Sequence, residues 1–574
     1  MSHLAALKSA GSLHGVAHLL GFKPKALAYI LYKKNDAEKY TQFQIPKRSG
    51  GFRTISAPSP DLMIMQKRLS ELLQDCIKEI NESREVKTTL SHGFKRNYSI
   101  ITNANLHKNK RFVFNIDLEN FFGTINFGRV RGYFIKNRNF ELPPPVATVI
   151  AQIACHDNAL PQGSPCSPVI SNLIGHLLDI RLARLAYNNS CTYSRYADDL
   201  TFSTNEKKIP EQIARLVAGE EHFWQPGTKL DKIIQSARFK INPSKTRMLY
   251  QDSRQDVTGL VVNAKVNVRS DYWRTARAMA HRLFRTGTFQ IKRTCKDENG
   301  ETSITETNGT IEQLNGILSF IDSIDFHNDK IEARNGNKNN QRKNNPHNSR
   351  QAVYKRFLLY KNFYSAPTPL IICEGKTDNV YLKAAIRRLH PDFPQLAGID
   401  SDGKFLWKVK FYNYTRTSKR VSHLGGGAGD LKTLIGSYKK ECKYYANLEQ
   451  QSPIIILVDN DDGAKSIFGV VRNILGTTVD GSQPFYVVRQ NLYLVAVPKL
   501  DNKGTKIEDF FPPEWLAHEI NGKKFNPDLD SHGTTTEYSK QVFSEQVVKK
   551  NQGKIDFSNF RQILERISAV IDAH

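Results

Sequence analysis

Phe112-Val113-Phe114-Asn115-Ile116-Asp117 is an apolar run that delivers a carboxylate at its end. Farther on, Tyr193-Ser194-Arg195-Tyr196-Ala197-Asp198-Asp199-Leu200-Thr201-Phe202 sets two adjacent carboxylates between two β-type runs, the first of them, Asp198, 81 residues after Asp117. The first stretch reads as a buried strand and the second as a hairpin with its acids at the tip. Adjacent aspartates repel each other, and a third at a strand end repels more. A compact site made of Asp117, Asp198 and Asp199 therefore needs a divalent cation. Two Mg²⁺ ions about 3.5–4 Å apart, bridged by carboxylates, suit in-line nucleotidyl transfer. An isolated Asp-Asp is ordinarily a solvated turn; the strand-borne Asp117 sets this pair apart.

Around this centre the texture changes several times. Residues 1–110 mix loops with helical patterns over Leu13–Tyr32 and Met63–Ile80, the latter with Met65, Leu69, Leu72, Leu73 and Cys76 on its buried side. Short strands and helices alternate from Arg111 to Ser203. Residues 270–365 read as helical again, with helices over Ile311–Ile324 and Val353–Phe363 on either side of Asn335–Asn348. That segment holds seven Asn in fourteen positions and reads as an exposed loop. Ala366-Pro367-Thr368-Pro369 marks a boundary, and beyond it apolar strands alternate with helices as in a parallel α/β sheet.

The chain has 574 residues, enough for several domains, and 39% hydrophobic residues, enough for real cores. Its 82 Lys and Arg against 56 Asp and Glu leave a net charge of +26, which points to a polyanionic partner, nucleic acid first. The seven cysteines form no CxxC pair, so neither a disulfide framework nor a cysteine zinc site is supported. No run approaches the ~18 apolar residues of a membrane span. A reduced, cytoplasmic, membrane-free setting is expected.

A second acidic constellation lies beyond the boundary. Leu370-Ile371-Ile372-Cys373-Glu374-Gly375 is a buried-type strand ending in a carboxylate and a glycine turn, and Ile454 to Val458 followed by Asp459-Asn460-Asp461 repeats the design. Carboxylates at the ends of parallel strands converge on the crevice where such sheets bind ligands. Glu374, Asp459 and Asp461 could hold Mg²⁺ or Mn²⁺ there. The glycine-rich run His423–Asp430 lacks the GxxxxGK[ST] pattern, so it reads as a turn into a helix near that crevice and not as a nucleotide loop.

These motifs resemble those of the reverse transcriptases. FNIDLENFFGTINF is similar to their motif A, which makes Asp117 the first metal ligand and Phe122 the steric gate against ribonucleotides. LPQGSPCSPVISNLI resembles motif B, whose Gln162-Gly163 turn lines the nucleotide pocket. YADD, with Tyr196, Asp198 and Asp199, resembles motif C. INPSKTRML resembles motif D, with Lys245 placed to protonate departing pyrophosphate. IPKRSGGFRTISAP resembles the fingers motif, with Lys47 and Arg53 as triphosphate contacts. NANLH (Asn103 to His107) and VTGL (Val257 to Leu260) are similar to the two elements that mark bacterial retron enzymes; Val257, Thr258 and Gly259 are then associated with recognition of a cognate structured RNA. A helix from Ser270 to Arg285 carries Arg274, Arg277 and Arg285 on one stripe, either a solvated basic face or a thumb helix on a nucleic-acid backbone.

The second constellation resembles a Toprim domain, the metal-dependent module of topoisomerases, primases and some nucleases. Asp378 matches a nuclease-like EGxTD variant and Glu508, in Ile507 to Phe511, is a further ligand candidate. The resemblances imply an α+β right-hand polymerase with fingers and palm (1–265) and helical thumb (266–365), followed by an α/β Toprim domain with a mainly parallel sheet (367–574). They imply two Mg²⁺ in the polymerase site and Mg²⁺ or Mn²⁺ in the Toprim site. They further imply deoxynucleotide substrates, a structured noncoding RNA template, a branched single-stranded DNA product (msDNA), a host RNase H and a bacterial cytoplasmic setting, with a homo-oligomer an open possibility. By that resemblance the Toprim domain is a nuclease effector in anti-phage defence; a catalytically silent scaffold is the alternative.

Overall fold

The computed structural model describes residues 2–47, 51–85, 89–220, 222–296, 302–334, 348–446, 452–501, 503–529 and 533–574. The chain divides into two compact units. One comprises Met1–Trp273, Lys292–Thr307 and Ser323–Gln341, and the other Arg274–Ile291, Asn308–Asp322 and Arg342–His574.

At the heart of the first unit, the strand Phe112–Leu118 lies inside a four-stranded antiparallel sheet. The order is Thr192–Tyr196, Asp199–Thr204, Phe112–Leu118, Ile241–Tyr250. Its apolar residues are buried as their pattern requires, Val113, Phe114 and Ile116 at 1% exposure or less. The helix Pro60–Ser83 buries Met65, Leu69, Leu72, Leu73 and Cys76, the expected face. It begins three residues earlier than the apolar pattern because Pro60 occupies the first turn, where a missing N–H costs nothing. A hairpin of Tyr40–Pro46 and Phe52–Pro58 joins the core where Ser56 N donates to Gln162 O at 2.7 Å. Gly163 sits at φ +124°, and a Cβ there would stand 2.6 Å from Ser56 O, so no other residue fits this junction.

The Asn103/His107 element turns out to be internal scaffolding. The helix Ile100–Leu106, with Ser99 and Thr102 forming a capping box, presents Asn103, while His107 follows at its end; both are buried. Ser194 Oγ donates to Asn103 Oδ1 at 2.7 Å, so it must accept from His107 Nε2, also at 2.7 Å. The other ring nitrogen then accepts from Ser203 Oγ at 2.8 Å. One neutral imidazole thus ties together the two strands flanking the Asp198–Asp199 turn.

In the second unit a five-stranded sheet runs Lys410–Phe411, Leu370–Cys373, Ile454–Val458, Leu492–Ala496, Tyr486–Arg489. Successive neighbours are parallel except the last pair. The strands Leu370–Cys373 and Ile454–Val458 are buried along their whole length, which explains runs with no polar alternation.

Two expectations for residues 270–365 are corrected. Gln290–Lys296 and Thr302–Asn308 are paired strands inside a range read as helical, since their density of Thr and Ile favours extended backbone. The following helices span Ile311–Arg334 and Ser349–Leu359, the second continuing as a π-type segment to Tyr364. Of the Asn-rich loop, residues 335–347 lie outside the described residues, and Asn348 caps the second helix by accepting from Gln351 N at 2.8 Å.

Burial holds the His107 imidazole down to about 3 and the His92 imidazole down to about 4, against an ordinary 6.5. The unfolded chain therefore takes up protons first. Stability conferred by these neutral rings is complete above pH 6.5 and falls as pH drops toward 4, by up to ~1.4 kcal/mol per pH unit for each ring. Amide-exchange protection of strands 192–204, corrected for intrinsic rates, should decline between pH 7 and 5 in the wild type and less in His107→Gln. Equal protection at both pH values would contradict buried neutral imidazoles.

Two carboxylate clusters as candidate active sites

Strand register builds the first cluster. Asp117 pairs directly with Asp199 across the sheet, and Asp198 occupies the two-residue turn between Tyr196 and Asp199, with Ala197 at φ +56°. Asp117 is 5% exposed, and its Oδ2 accepts from Lys245 Nζ at 2.9 Å while Oδ1 accepts from Asn242 Nδ2 at 3.2 Å. Asp199 reaches solvent at the rim, yet surrounding protein and then the charges of Asp198 and Asp117 push its carboxyl up to about 6. Asp198 is likewise raised by burial and by Asp117, against the pull of Lys245 and Arg53. All donors are hard carboxylate oxygens, and their unrelieved repulsion is what Mg²⁺ would remove. Among the described residues no three such groups already stand at ion-binding separation; the Lys245 ammonium serves as the counter-charge instead.

The turn itself rests on Arg195, a fully buried arginine. Its Nε and Nη2 donate to the two oxygens of Asp179 at 2.7 and 2.8 Å, and Nη1 donates to the carbonyl of Ala197 at 3.0 Å. Asp179 lies on the helix Ser167–Tyr187 and also accepts from Tyr193 OH at 2.8 Å. A Cβ on Gly93 would meet Ala197 N at 2.6 Å, so this glycine lets a neighbouring loop close over the turn.

Around the acids the expected contacts assemble unevenly. Arg53 is exposed on the Phe52–Pro58 strand, and its charge reaches Asp198. Phe122, half-buried, packs edge-on to Phe121 with ring centres 5.5 Å apart. Gln162 and Gly163 form the junction with Ser56. Tyr196 closes the hairpin strand at its end. Lys47 N donates to Gly51 O at the hairpin tip, whose residues 48–50 lie outside the described residues. Phe94, 45% exposed, lies with its ring centre 6.2 Å from Phe122 and 6.4 Å from Tyr196, a contact no pattern in its own stretch announced. Asn242 and Arg195 were also missed; Arg195 reads in sequence as a surface residue, and only its place one step before Tyr196 hinted otherwise.

Val257, Thr258 and Gly259 form a tight hairpin of Asp256–Val257 and Leu260–Val261. Val257 is buried, Thr258 and Gly259 both take positive φ (+48° and +82°), and Thr258 Oγ1 donates to Ile100 O at 3.3 Å. A β-branched residue pays for that conformation in strain. On the helix Ser270–Thr286, Arg274, Arg277 and Arg285 are exposed while Ala276, Ala280, Leu283 and Phe284 are buried.

The second cluster gathers more acids than its strands alone suggested. Glu374 and Asp459 stand at the ends of adjacent parallel strands. Asp378 is buried and accepts from Gly375 N at 2.8 Å, and Ile507 N donates to Asp459 Oδ1 at 2.9 Å, bringing in Glu508. Burial, then Asp378 and Glu508, push Asp459 up to about 8; burial, then Asp378 and Asp461, raise Glu374. Asp461 turns its Oδ1 to Gly463 N at 2.9 Å. Lys540, which sequence reading did not single out, pairs with the 2%-exposed Glu508 at 2.9 Å. Glu374 Oε2 is buried with no hydrogen-bond partner, a donor to which a cation would fit. The glycine-rich turn docks here: Gly427 N donates to Glu374 O at 2.9 Å, and the helix Ala428–Cys442 follows.

Residues 45–264 match the family model described as reverse transcriptase (RNA-dependent DNA polymerase). The chain is 30% identical to the Retron Mx162 reverse transcriptase of Myxococcus xanthus over 55% of its own length and 64% of that protein. It is 32% identical to the Retron Mx65 reverse transcriptase of the same organism over 43% of its length and 56% of that protein. It is 30% identical to the Retron Ec86 reverse transcriptase of Escherichia coli over 55% of its length and 85% of that protein. The first two relatives are thus spanned for less than two thirds of their length.

Because the Arg195–Asp179 pair is wholly buried, removing one partner leaves an uncompensated charge. Arg195→Met or Asp179→Leu should each cost about 3–5 kcal/mol in the unfolding of this unit, while the double variant carrying both should cost less than the sum. Urea unfolding of the four proteins closes the cycle, and additive losses would show that the pair is not coupled.

Proposed function

The chain belongs to the retron reverse transcriptase family, and from that premise we propose that its first unit is an RNA-directed DNA polymerase. It copies part of a structured noncoding RNA into single-stranded DNA from deoxynucleoside triphosphates. The observation that carries this reading is the register of Asp117 opposite Asp199 with Asp198 in the turn between strands. Asp117, Asp198 and Asp199 would hold Mg²⁺, which when bound supplies activation of the attacking hydroxyl and neutralises charge on the phosphates. Lys245, an ammonium held at Asp117, is the proton donor to the departing pyrophosphate. Arg53 meets the triphosphate, the Gln162-Gly163 turn and Tyr196 frame the nucleotide, and Phe122 blocks a ribose 2′-hydroxyl. The Val257–Gly259 hairpin confers preference for the cognate RNA, and Arg274, Arg277 and Arg285 grip phosphates without regard to sequence. By family the product is a branched RNA–DNA, and a host RNase H removes the template.

For the second unit the reading is a Toprim-type, metal-dependent phosphodiesterase restrained by that product, an effector of anti-phage defence. The unpartnered Glu374 Oε2 beside Asp378 and Asp459 supports it. Glu374, Asp459 and Asp461 would hold Mg²⁺ or Mn²⁺, with Asp378 and Glu508 completing the acidic wall.

Asp198→Asn with Asp199→Asn should abolish cDNA synthesis, a loss of several kcal/mol of transition-state stabilisation, while RNA retention in a filter assay stays near wild type. Near-normal cDNA would refute the polymerase assignment. Glu374→Ala should leave cDNA yield unchanged and remove metal-dependent cleavage of pooled RNA and DNA by protein freed of its bound nucleic acid. Neutralising Arg274, Arg277 and Arg285 should weaken all RNAs alike and flatten the salt slope by about one unit per lost phosphate contact. A change in RNA preference from those arginines would reverse the assigned roles.

A further inference from the structure

A cleft of about 930 Å³ opens within the second unit, away from the acids just described. Its floor is the edge strand Lys410–Phe411, the outermost strand of the parallel sheet. Three ammonium groups, Lys361, Lys383 and Lys410, line it against one carboxylate, Glu312. None of the three lysines makes an ion pair among the described residues, and Lys383 is crowded by the positive charges of Lys549 and Arg387. Such uncompensated charge along a groove is costly to the fold unless an anion visits it.

The same wall is aromatic. Trp407 and Phe411, each half-buried, meet edge-to-face with ring centres 6.0 Å apart, and Phe405 continues the row 5.0 Å from Trp407. Lys383 Nζ stands 5.1 Å from the centre of Phe411, and the Arg387 guanidinium 5.9 Å from that of Trp407. The rest of the lining supplies amides and hydroxyls, and Thr368 Oγ1 among them is buried with no hydrogen-bond partner. Lysines interleaved with aromatic faces and polar groups suit one ligand chemistry: a flat base on a ring, with its phosphates on ammonium groups. The volume lies at the upper end of the ~300–1,000 Å³ usual for small ligands, room for more than one nucleotide.

We propose that this cleft binds single-stranded nucleic acid, stacking a base on Trp407 and Phe411 and holding the backbone on Lys361, Lys383 and Lys410. Position gives the groove a use. The edge strand pairs with Leu370–Cys373, the strand that ends at Glu374, and Asn379 Nδ2 donates to Tyr412 O at 2.8 Å, one residue from Asp378. A strand lying in the cleft is thereby led along the sheet toward the acidic cluster. The inference goes beyond the phosphodiesterase reading and does not require the acids to be catalytic.

The test uses the full chain, stripped of bound nucleic acid and held in EDTA so that cleavage plays no part. It is irradiated with a 12-nucleotide (within the ~4–16 nucleotides one single-strand-binding module covers) oligodeoxynucleotide carrying 5-bromodeoxyuridine, and adducts are mapped by mass spectrometry. The expected adduct falls on Trp407 or Phe411. Converting Lys361, Lys383 and Lys410 to Glu should lower its yield at least tenfold, and converting them to Arg should preserve it, which separates lost charge from lost fold. The salt dependence of the yield should reflect three contacts, a log–log slope near 2. No adduct in this segment, or an undiminished one in the Glu variant, overturns the proposal. Competition by dTTP as effective as by the oligonucleotide assigns the site to free nucleotides and overturns the strand. Equal competition by a duplex overturns the preference for single strands. Cleavage assays in Mg²⁺ on the same variants report the acidic cluster separately.

Discussion

A guanidinium with no access to water organises the first unit. Arg195 sits one residue before the Tyr196–Asp199 turn, and each of its bonds runs to something that must stay in place: both oxygens of Asp179, the carbonyl of Ala197, and Asn172 Oδ1. Asn172 in turn donates to Gly93 O, and Arg195's own backbone bonds to Leu90 and His92. A buried cation tolerates no loosening, because any partner that moves away leaves charge in a medium that cannot screen it. The acidic turn is therefore referenced to a long helix and to a loop at once.

Both units gather more acids than the single lysine beside them can answer. The first does so with antiparallel register, setting Asp117 opposite Asp199. The second does so with parallel strands ending side by side at Glu374 and Asp459. Each cluster holds one lysine against one acid, Lys245 on Asp117 and Lys540 on Glu508, while burial and like charge push Asp199 in the first and Asp459 in the second upward. In each unit a bound cation would relieve the repulsion that the protein's own lysine leaves standing.

The strands bearing these acids were legible because burial on both faces leaves an unbroken apolar run. Leu370–Cys373 and Ile454–Val458 have the bounds their composition suggested. The amphipathic helix around Met65–Cys76 was legible for the opposite reason, a regular apolar face. What escaped reading was long-range. Arg195, Lys540 and Asn242 carry nothing in their local pattern that tells a buried partner from a solvated side chain. The Asn103/His107 element was visible as a string, but its role as a strap across Ser194 and Ser203 depends on pairing between residues some 90 apart in sequence. The strands at 290–308 were misread because Thr- and Lys-rich stretches carry no burial signal on either period.

Two glycines bear on how such a sequence can drift. Gly93 and Gly163 touch no acid, yet a single added methyl at either would collide with backbone atoms, Ala197 N in one case and Ser56 O in the other. Backbone cannot swing aside as a side chain can, so neither clash is relieved by a compensating change nearby. Shape alone therefore confines both positions to glycine, whatever chemistry the neighbouring side chains carry.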